Sequence, residues 1–162
     1  MDRLREFLDR NNIKYTVITH SKAYTALEVA ALVHVPGRNV AKTIIVKAGE
    51  KFAMAVLPAP HHVDTEALGK AVGTKVRLAS EAEFQDLFPG CELGAMPPFG
   101  NLYGLPVWVA EPLTSDEEIV FNCSTHTAVV RMGYADFARL VQPRVASFSR
   151  VSCAPPHKEP VA

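Results

Sequence analysis

Val40-Ala-Lys-Thr-Ile-Ile-Val-Lys47, Ala48-Gly49-Glu50 and Lys51-Phe-Ala-Met-Ala-Val-Leu57 follow one another without a break, and this stretch decides the fold. Two runs rich in β-branched and apolar residues flank a three-residue turn containing glycine, the pattern of an antiparallel hairpin. Pro58-Ala-Pro60 ends it. Working outward, the alternation of Ile13, Tyr15 and Val17 predicts a strand over 13–19, and Lys75–Ala79, Val107–Ala110, Glu118–Phe121 and Thr127–Met132 read as further strands. Helices fall between them. Leu4, Phe7 and Leu8 share one face of a helix over Asp2–Asn11. Thr25-Ala-Leu-Glu28 and Ser80-Glu-Ala-Glu83 are capping-box patterns, predicting helices over Ala26–Val33 and from Ser80 to the stop at Pro89-Gly90. Asp64 caps a short helix ended by Gly73, and Tyr134–Val141 is a last helix closed by Pro143. Strand pairs joined by short turns, with helices between, define an α+β fold: a single domain with a mixed, largely antiparallel sheet and peripheral helices. It is expected to occupy residues 1–150. The tail 151–162, with Pro155-Pro156 and Pro160, has little to bury and is expected to be disordered.

The bulk composition narrows the function. The chain has 162 residues, 48% hydrophobic and 21% charged, enough for one domain with a sizeable core. Its formal net charge of zero argues against coating long nucleic acid by electrostatics alone, though not against gripping a few phosphates. Arg38, Lys42, Lys47 and Lys51 cluster around the hairpin, where Arg38, Lys47 and Lys51 taken singly read as solvated charges. No apolar run is long enough to span a bilayer, so no membrane partner is expected. The N-terminus leads into an amphipathic pattern and not a signal peptide. Three cysteines without metal-type spacing fit a reducing cytoplasm.

Three places could carry chemistry. Lys42 shares a strand face with Val40, Ile44 and Val46, where an ammonium is costly unless it finds a partner or reaches water. Gly94-Ala-Met-Pro-Pro-Phe-Gly100 holds no acid, base or nucleophile. Its prolines freeze backbone angles and its glycines open others, so it is either a plain turn or a loop presenting backbone N–H groups to developing negative charge. His126 ends the polar turn Asn122-Cys-Ser-Thr-His126 and could donate to a carbonyl, orient a water or meet an amino group. Cys123 with His126 lacks a third, orienting group, so all three cysteines read as structural. His61-His62 reads as an exposed loop pair. No His, Cys, Asp or Glu set has zinc spacing and no phosphate-binding glycine loop precedes a helix, so neither metal nor cofactor is expected.

In order, Lys42 in its strand, the Gly-x-x-x-Pro element Gly94 to Pro98 and His126 after its turn resemble the YbaK/prolyl-tRNA synthetase-associated editing-domain family. The resemblance runs from the first helix to about Phe148. It implies a strongly curved sheet forming a pocket, and a trans-editing deacylase that hydrolyses the ester of a wrongly charged aminoacyl-tRNA. It implies Lys42, Gly94 and His126 as catalytic residues, with Lys42 holding the terminal adenosine and its phosphate. Thr43, Ala95, Met96, Pro97, Pro98, Ser124 and Thr125 would bind substrate. It also implies no cofactor, the aminoacylated acceptor end as partner, most often of the proline tRNA, prolyl-tRNA synthetase as a further partner, and help from the substrate's own ribose hydroxyl.

Two departures bear on substrate and geometry. Thr43 follows the strand lysine where an alanine-specific subgroup carries asparagine, which leaves serine, threonine, cysteine or a non-protein amino acid open. Family members place a small residue and a glycine before the Ser/Thr-His pair, where this chain has Cys123-Ser124. Two other readings stay open: a module that binds tRNA ends or a partner protein without hydrolysis, and a hydrolase of small esters.

Overall fold

The computed structural model describes residues 2–151, so the proposed tail lies outside the described residues apart from Val151. Ten strands and five α-helices follow in the order α1 (Asp2–Arg10), β1 (Tyr15–Thr19), α2 (Ala26–Leu32), β2 (Ala41–Ala48), β3 (Lys51–Pro58), β4 (His61–Val63), α3 (Thr65–Val72), β5 (Val76–Leu78), α4 (Glu81–Phe84), β6 (Val107–Ala110), β7 (Glu118–Asn122), β8 (Ala128–Gly133), α5 (Tyr134–Val141), β9 (Arg144–Ala146) and β10 (Ser149–Val151). The fold is α+β with a mixed strand arrangement. A five-stranded sheet runs β5-β2-β3-β6-β9, a three-stranded sheet runs β1-β8-β7, and β10 pairs with β4. The β2–β3 hairpin forms in the register Ala41↔Pro58 to Ala48↔Lys51. β3–β6 and β6–β9 are parallel, and all other strand pairs are antiparallel. A parallel bridge, Val40↔Val120, brings β2 alongside β7 and joins the two larger sheets.

The local chemistry explains the helix ends. Thr25 and Asp64 accept the Glu28 and Ala67 amides, and Ser80 and Glu83 close a full capping box. Gly73 ends α3 at φ 91°, in the left-handed region that glycine enters without steric cost. The helix after Ser80 is shorter than its box suggests. It gives way to a 3-10 turn at Gln85–Leu87, and the exposed residues of this stretch offer few apolar side chains to hold a longer one. β4, β9 and β10 carry no period-two pattern long enough to read and were not expected. His61 and His62 therefore lie in a strand and are half-buried, not in an exposed loop.

β2 is buried on both faces. Ala41 and Ile45 face the main cluster with Met54, Val56, Met96, Phe99, Phe121, Cys123 and Phe137. Ile44 and Val46 face a second cluster with Leu57, Leu68, Trp108 and Phe148. Val40 packs in a third, beneath α2, with Ala23, Ala26, Val120 and Val129. At the centre of the main cluster Phe99 is fully buried, its ring centroid 6.1, 5.6 and 5.4 Å from those of Phe7, Phe121 and Phe137. Phe99 therefore ties α1, β7 and α5 to the end of the proline loop. Phe99→Ala is expected to cost about 3–5 kcal/mol of stability, read as a lower urea midpoint, and Phe99→Leu clearly less.

Candidate active site

The proline loop and the β7–β8 turn form one hydrogen-bonded unit. The Ser124 amide donates to the Ala95 carbonyl (2.9 Å), the Glu92 amide to the Ser124 carbonyl (2.8 Å), and the Ala95 amide to the Glu92 carbonyl (3.0 Å). Gly94 sits at φ 84°, a left-handed conformation that strains a residue with a Cβ. Ala95 and Met96 are buried beneath the turn. Pro97 and Pro98 have no N–H, and the Ala95 N–H is committed to Glu92. Ala95 thus holds the loop in place, and the Gly94 and Met96 amides stand outside these bonds.

Ser124 resolves one departure from the family pattern. Its φ is 77°, in the region glycine favours, so the turn keeps the backbone that a glycine would give it. Its hydroxyl lies 3.3 Å from Cys91 Sγ, and Cys91 Sγ is 3.2 Å from the Tyr103 hydroxyl. Thr125 Oγ1 braces the same turn, accepting from the Thr127 amide at 3.4 Å.

His126 is 7% exposed, and its contacts define its tautomer. Nε2 is 2.8 Å from the Leu93 carbonyl oxygen, which can only accept, so Nε2 carries the proton. In the neutral ring Nδ1 is then a lone-pair acceptor, and it is buried without a protein partner. Glu92 Oε2 accepts from the His126 amide at 3.2 Å and lies 3.7 Å from Nε2. Of the three roles the sequence left open, this geometry suits accepting from an amino group or hydroxyl. The Tyr24 ring packs on the imidazole at 5.0 Å between centroids. The segment before α2 is pinned to the turn by two further bonds, His20 N–H to Thr127 O (2.8 Å) and Ala23 N–H to His126 O (3.1 Å).

Lys42 is 7% exposed and follows Val40 on the β2 face that turns toward α2. The Lys42 ammonium acts on His61. Burial first, and the Lys42 ammonium next, hold the His61 imidazole below its usual range and favour its neutral form. His61 Nδ1 is 2.8 Å from Ser149 Oγ, which fixes the ring. Thr43 falls on the opposite face of β2, with Ala41 and Ile45, so Lys42 and Thr43 do not point into one pocket. The loop, the turn and the α2 entrance are brought into direct contact, and the Val40↔Val120 bridge sets the strand of Lys42 beside the strand that leads into the turn. Lys47 belongs elsewhere, 3.8 Å from Glu83 and over the Phe52 ring.

Sequence reasoning gave Asn122 no role, took His61 as one of an exposed loop pair, and found in His20-Ser21 only an unspecific resemblance to the family's pocket-lining entrance. Asn122 Oδ1 and His20 Nε2 are, like His126 Nδ1, buried atoms without a hydrogen-bond partner. For Asn122 and His20 the signal was a polar residue at the junction of a strand and a turn, which one sequence cannot tell from ordinary loop polarity. Cys123 is fully buried, and burial pushes its thiol up to about 11, so it stays protonated and is a poor nucleophile. Among the described residues no group of three or more His, Cys, Asp or Glu side chains could hold a metal, and no helix is long and apolar enough to cross a membrane.

The fold is that of known crystal structures. A hypothetical protein superposes with TM-score 0.83 at 20% identity, over 91% of this chain and 99% of its own. A candidate trans-editing enzyme for prolyl tRNA synthetase superposes with TM-score 0.79 at 22% identity, over 92% and 96%. Sequence comparison then sets the particular family: residues 20–140 match the Aminoacyl-tRNA editing domain, and the chain belongs to that family. Its activity class is that of an aminoacyl-tRNA deacylase, a hydrolase of ester bonds. Among its relatives is the Multifunctional Ser/Thr-tRNA deacylase ProXp-y of Escherichia coli (strain K12), 29% identical over 157 residues that cover 93% of each chain.

The turn yields a stability test. A non-glycine residue in the left-handed region carries strain of about 1–3 kcal/mol. Ser124→Gly is expected to hold or raise the melting temperature, whereas Ser124→Val, β-branched at the same φ, is expected to lower it by several degrees.

Proposed function

We propose that this chain is a trans-editing enzyme, acting apart from a synthetase in the cytoplasm, that hydrolyses the ester joining a small, wrongly attached amino acid to the terminal ribose of a tRNA. Support for separate action comes from the span of the Escherichia coli relative, 93% of which is covered here. That relative's name points to serine and threonine as the amino acids removed. The name of one structural neighbour points to the proline tRNA and to association with prolyl-tRNA synthetase.

One observation carries the reading. The loop that can stabilise an oxyanion and the histidine that can meet the aminoacyl group are tied to each other through Ser124, Glu92 and Leu93. In this reading the Gly94 and Met96 amides receive the ester carbonyl oxygen as it gains charge, a contribution worth on the order of a hundredfold in rate per donor. His126 Nδ1 accepts from the α-ammonium. Lys42 anchors the phosphate and ribose of the terminal adenosine. Cys123, held as a thiol, is a poor nucleophile. Attack by water, positioned with the help of the neighbouring ribose hydroxyl, fits this arrangement.

The deciding experiment is a panel of tRNAs charged with serine, threonine, alanine or cysteine, scored for release of the amino acid. Hydrolysis of seryl- and threonyl-tRNA supports the reading, and no hydrolysis of any member overturns it. Lys42→Ala is expected to reduce single-turnover hydrolysis by at least about a hundredfold with a melting curve close to wild type. A near wild-type rate removes Lys42 from the site.

The covalent alternative has its own test. Cys123→Ser is expected to retain most activity, whereas Gly94→Val loses it, because a side chain there crowds the donors and cannot adopt φ 84° without strain. A dead Cys123→Ser enzyme with a trappable acyl-enzyme establishes nucleophilic catalysis instead.

A further inference from the structure

We propose that Asn122 is a specificity-determining residue, whose buried amide reads a side-chain hydroxyl on the amino acid to be removed. The inference rests on the deacylase reading above and names how that site chooses its substrate.

The placement follows from strand alternation. On β7, Ile119 and Phe121 face the main cluster, as does Cys123 just beyond the strand, while Val120 faces the cluster beneath α2. Asn122 follows Val120 on that second face, opposite Val129 of β8. Val40 and Val120 are bridged in parallel, so Lys42 and Asn122 each stand two residues beyond the bridge on the same side. Four residues further along the turn is His126, and the α2 entrance packs against it through Tyr24 and Ala23. Lys42, Asn122 and His126 thus border one region.

Asn122 is 8% exposed, and its Oδ1 is buried without a hydrogen-bond partner. A buried amide in that condition is costly, and the cost is removed when a ligand supplies the missing bond. The charges nearby divide the work between the two acceptors. The α-ammonium of an aminoacyl ester suits His126 Nδ1, because the Glu92 carboxylate lies 3.7 Å from the same ring. It does not suit Asn122, which lies on the same side of the Val40↔Val120 bridge as Lys42. A neutral hydroxyl does. It can donate to Oδ1 and, should the amide be turned, accept from Nδ2, so either orientation engages it. A methyl group in the same place can do neither. A site built to bond a hydroxyl penalises the analogue that lacks it far more than a simple difference in size would.

The test compares substrates of nearly equal volume. One tRNA is charged with serine or with 2-aminobutyrate, which carries a methyl where serine has its hydroxyl, and kcat/KM is measured for each. The wild-type protein is expected to favour seryl-tRNA by at least about tenfold. Asn122→Leu, close in volume and unable to hydrogen-bond, is expected to bring the two rates to within about twofold, chiefly by slowing the seryl substrate. Asn122→Ala, checked beside it by thermal melting, covers the case in which leucine does not fit. Equal rates for the two substrates with wild-type protein overturn the inference while leaving the deacylase reading in place. So does a serine preference that survives in a folded Asn122 variant. Failure of the wild-type protein to hydrolyse either ester overturns the deacylase reading itself.

Discussion

Everything in the site hangs on three backbone hydrogen bonds among Glu92, Ala95 and Ser124. The proline loop is long, bears no regular structure and, in the proposed reaction, must still hold two amide donors in fixed directions. Proline supplies some of that rigidity, but it also removes N–H groups that could have pinned the loop. The pinning comes from outside, from a turn far along the chain. The turn can meet the loop only because Ser124 accepts a left-handed backbone, which lets its amide and its carbonyl both address the same loop. A strained serine in the turn and a glycine at φ 84° in the loop are thus two halves of one fit. Local strain of this kind persists where surrounding contacts over-determine it, and the buried Ala95, Met96 and Cys123 supply those contacts.

The second constraint is the double-sided burial of β2. A strand covered on both faces has no room for an ammonium except at its end, and Lys42 is the second residue of its strand. There it follows Val40, which packs beneath α2, and its charge acts on His61. Keeping His61 neutral lowers the local density of positive charge around the lysine. In the proposed reaction Lys42 would meet the phosphate end of the substrate and His126 its ammonium end.

The hairpin, the helix caps and the last helix were legible because each has a local cause: alternation, a capping oxygen, or a residue that cannot continue a helix. Tyr134–Val141 and Val107–Ala110 form over the expected residues. β4, β9 and β10 were not legible, since three-residue strands such as Arg144–Ala146 are set by the partner they pair with and not by their own pattern. The site divides the same way. Lys42, the Gly94–Pro98 loop and His126 stood out as residue types in unlikely settings. Which loop amides stand outside the loop's own bonds and which nitrogen of His126 holds the proton depend on contacts between segments far apart in sequence. Asn122 and His20 look ordinary until their burial is known.

The pairing pattern also governs when the protein becomes competent. Among the described residues β1 pairs with β8 alone, β3 has β6 as its parallel neighbour, and β6 in turn waits for β9. Pairings so distant along the chain are slow to close, because loop entropy is lost before any contact repays it. During synthesis, Tyr15, Val17 and the lower face of β3 emerge from the ribosome long before the segments that cover them. The pieces of the site, from the α2 entrance to the β7–β8 turn, are likewise held apart until the later strands arrive. A partly made chain has neither the pocket nor the donor loop, and it shows uncovered strand edges to whatever is nearby. Prompt shielding of the nascent polypeptide, by a chaperone or by rapid elongation, is therefore a demand that this topology places on the cell.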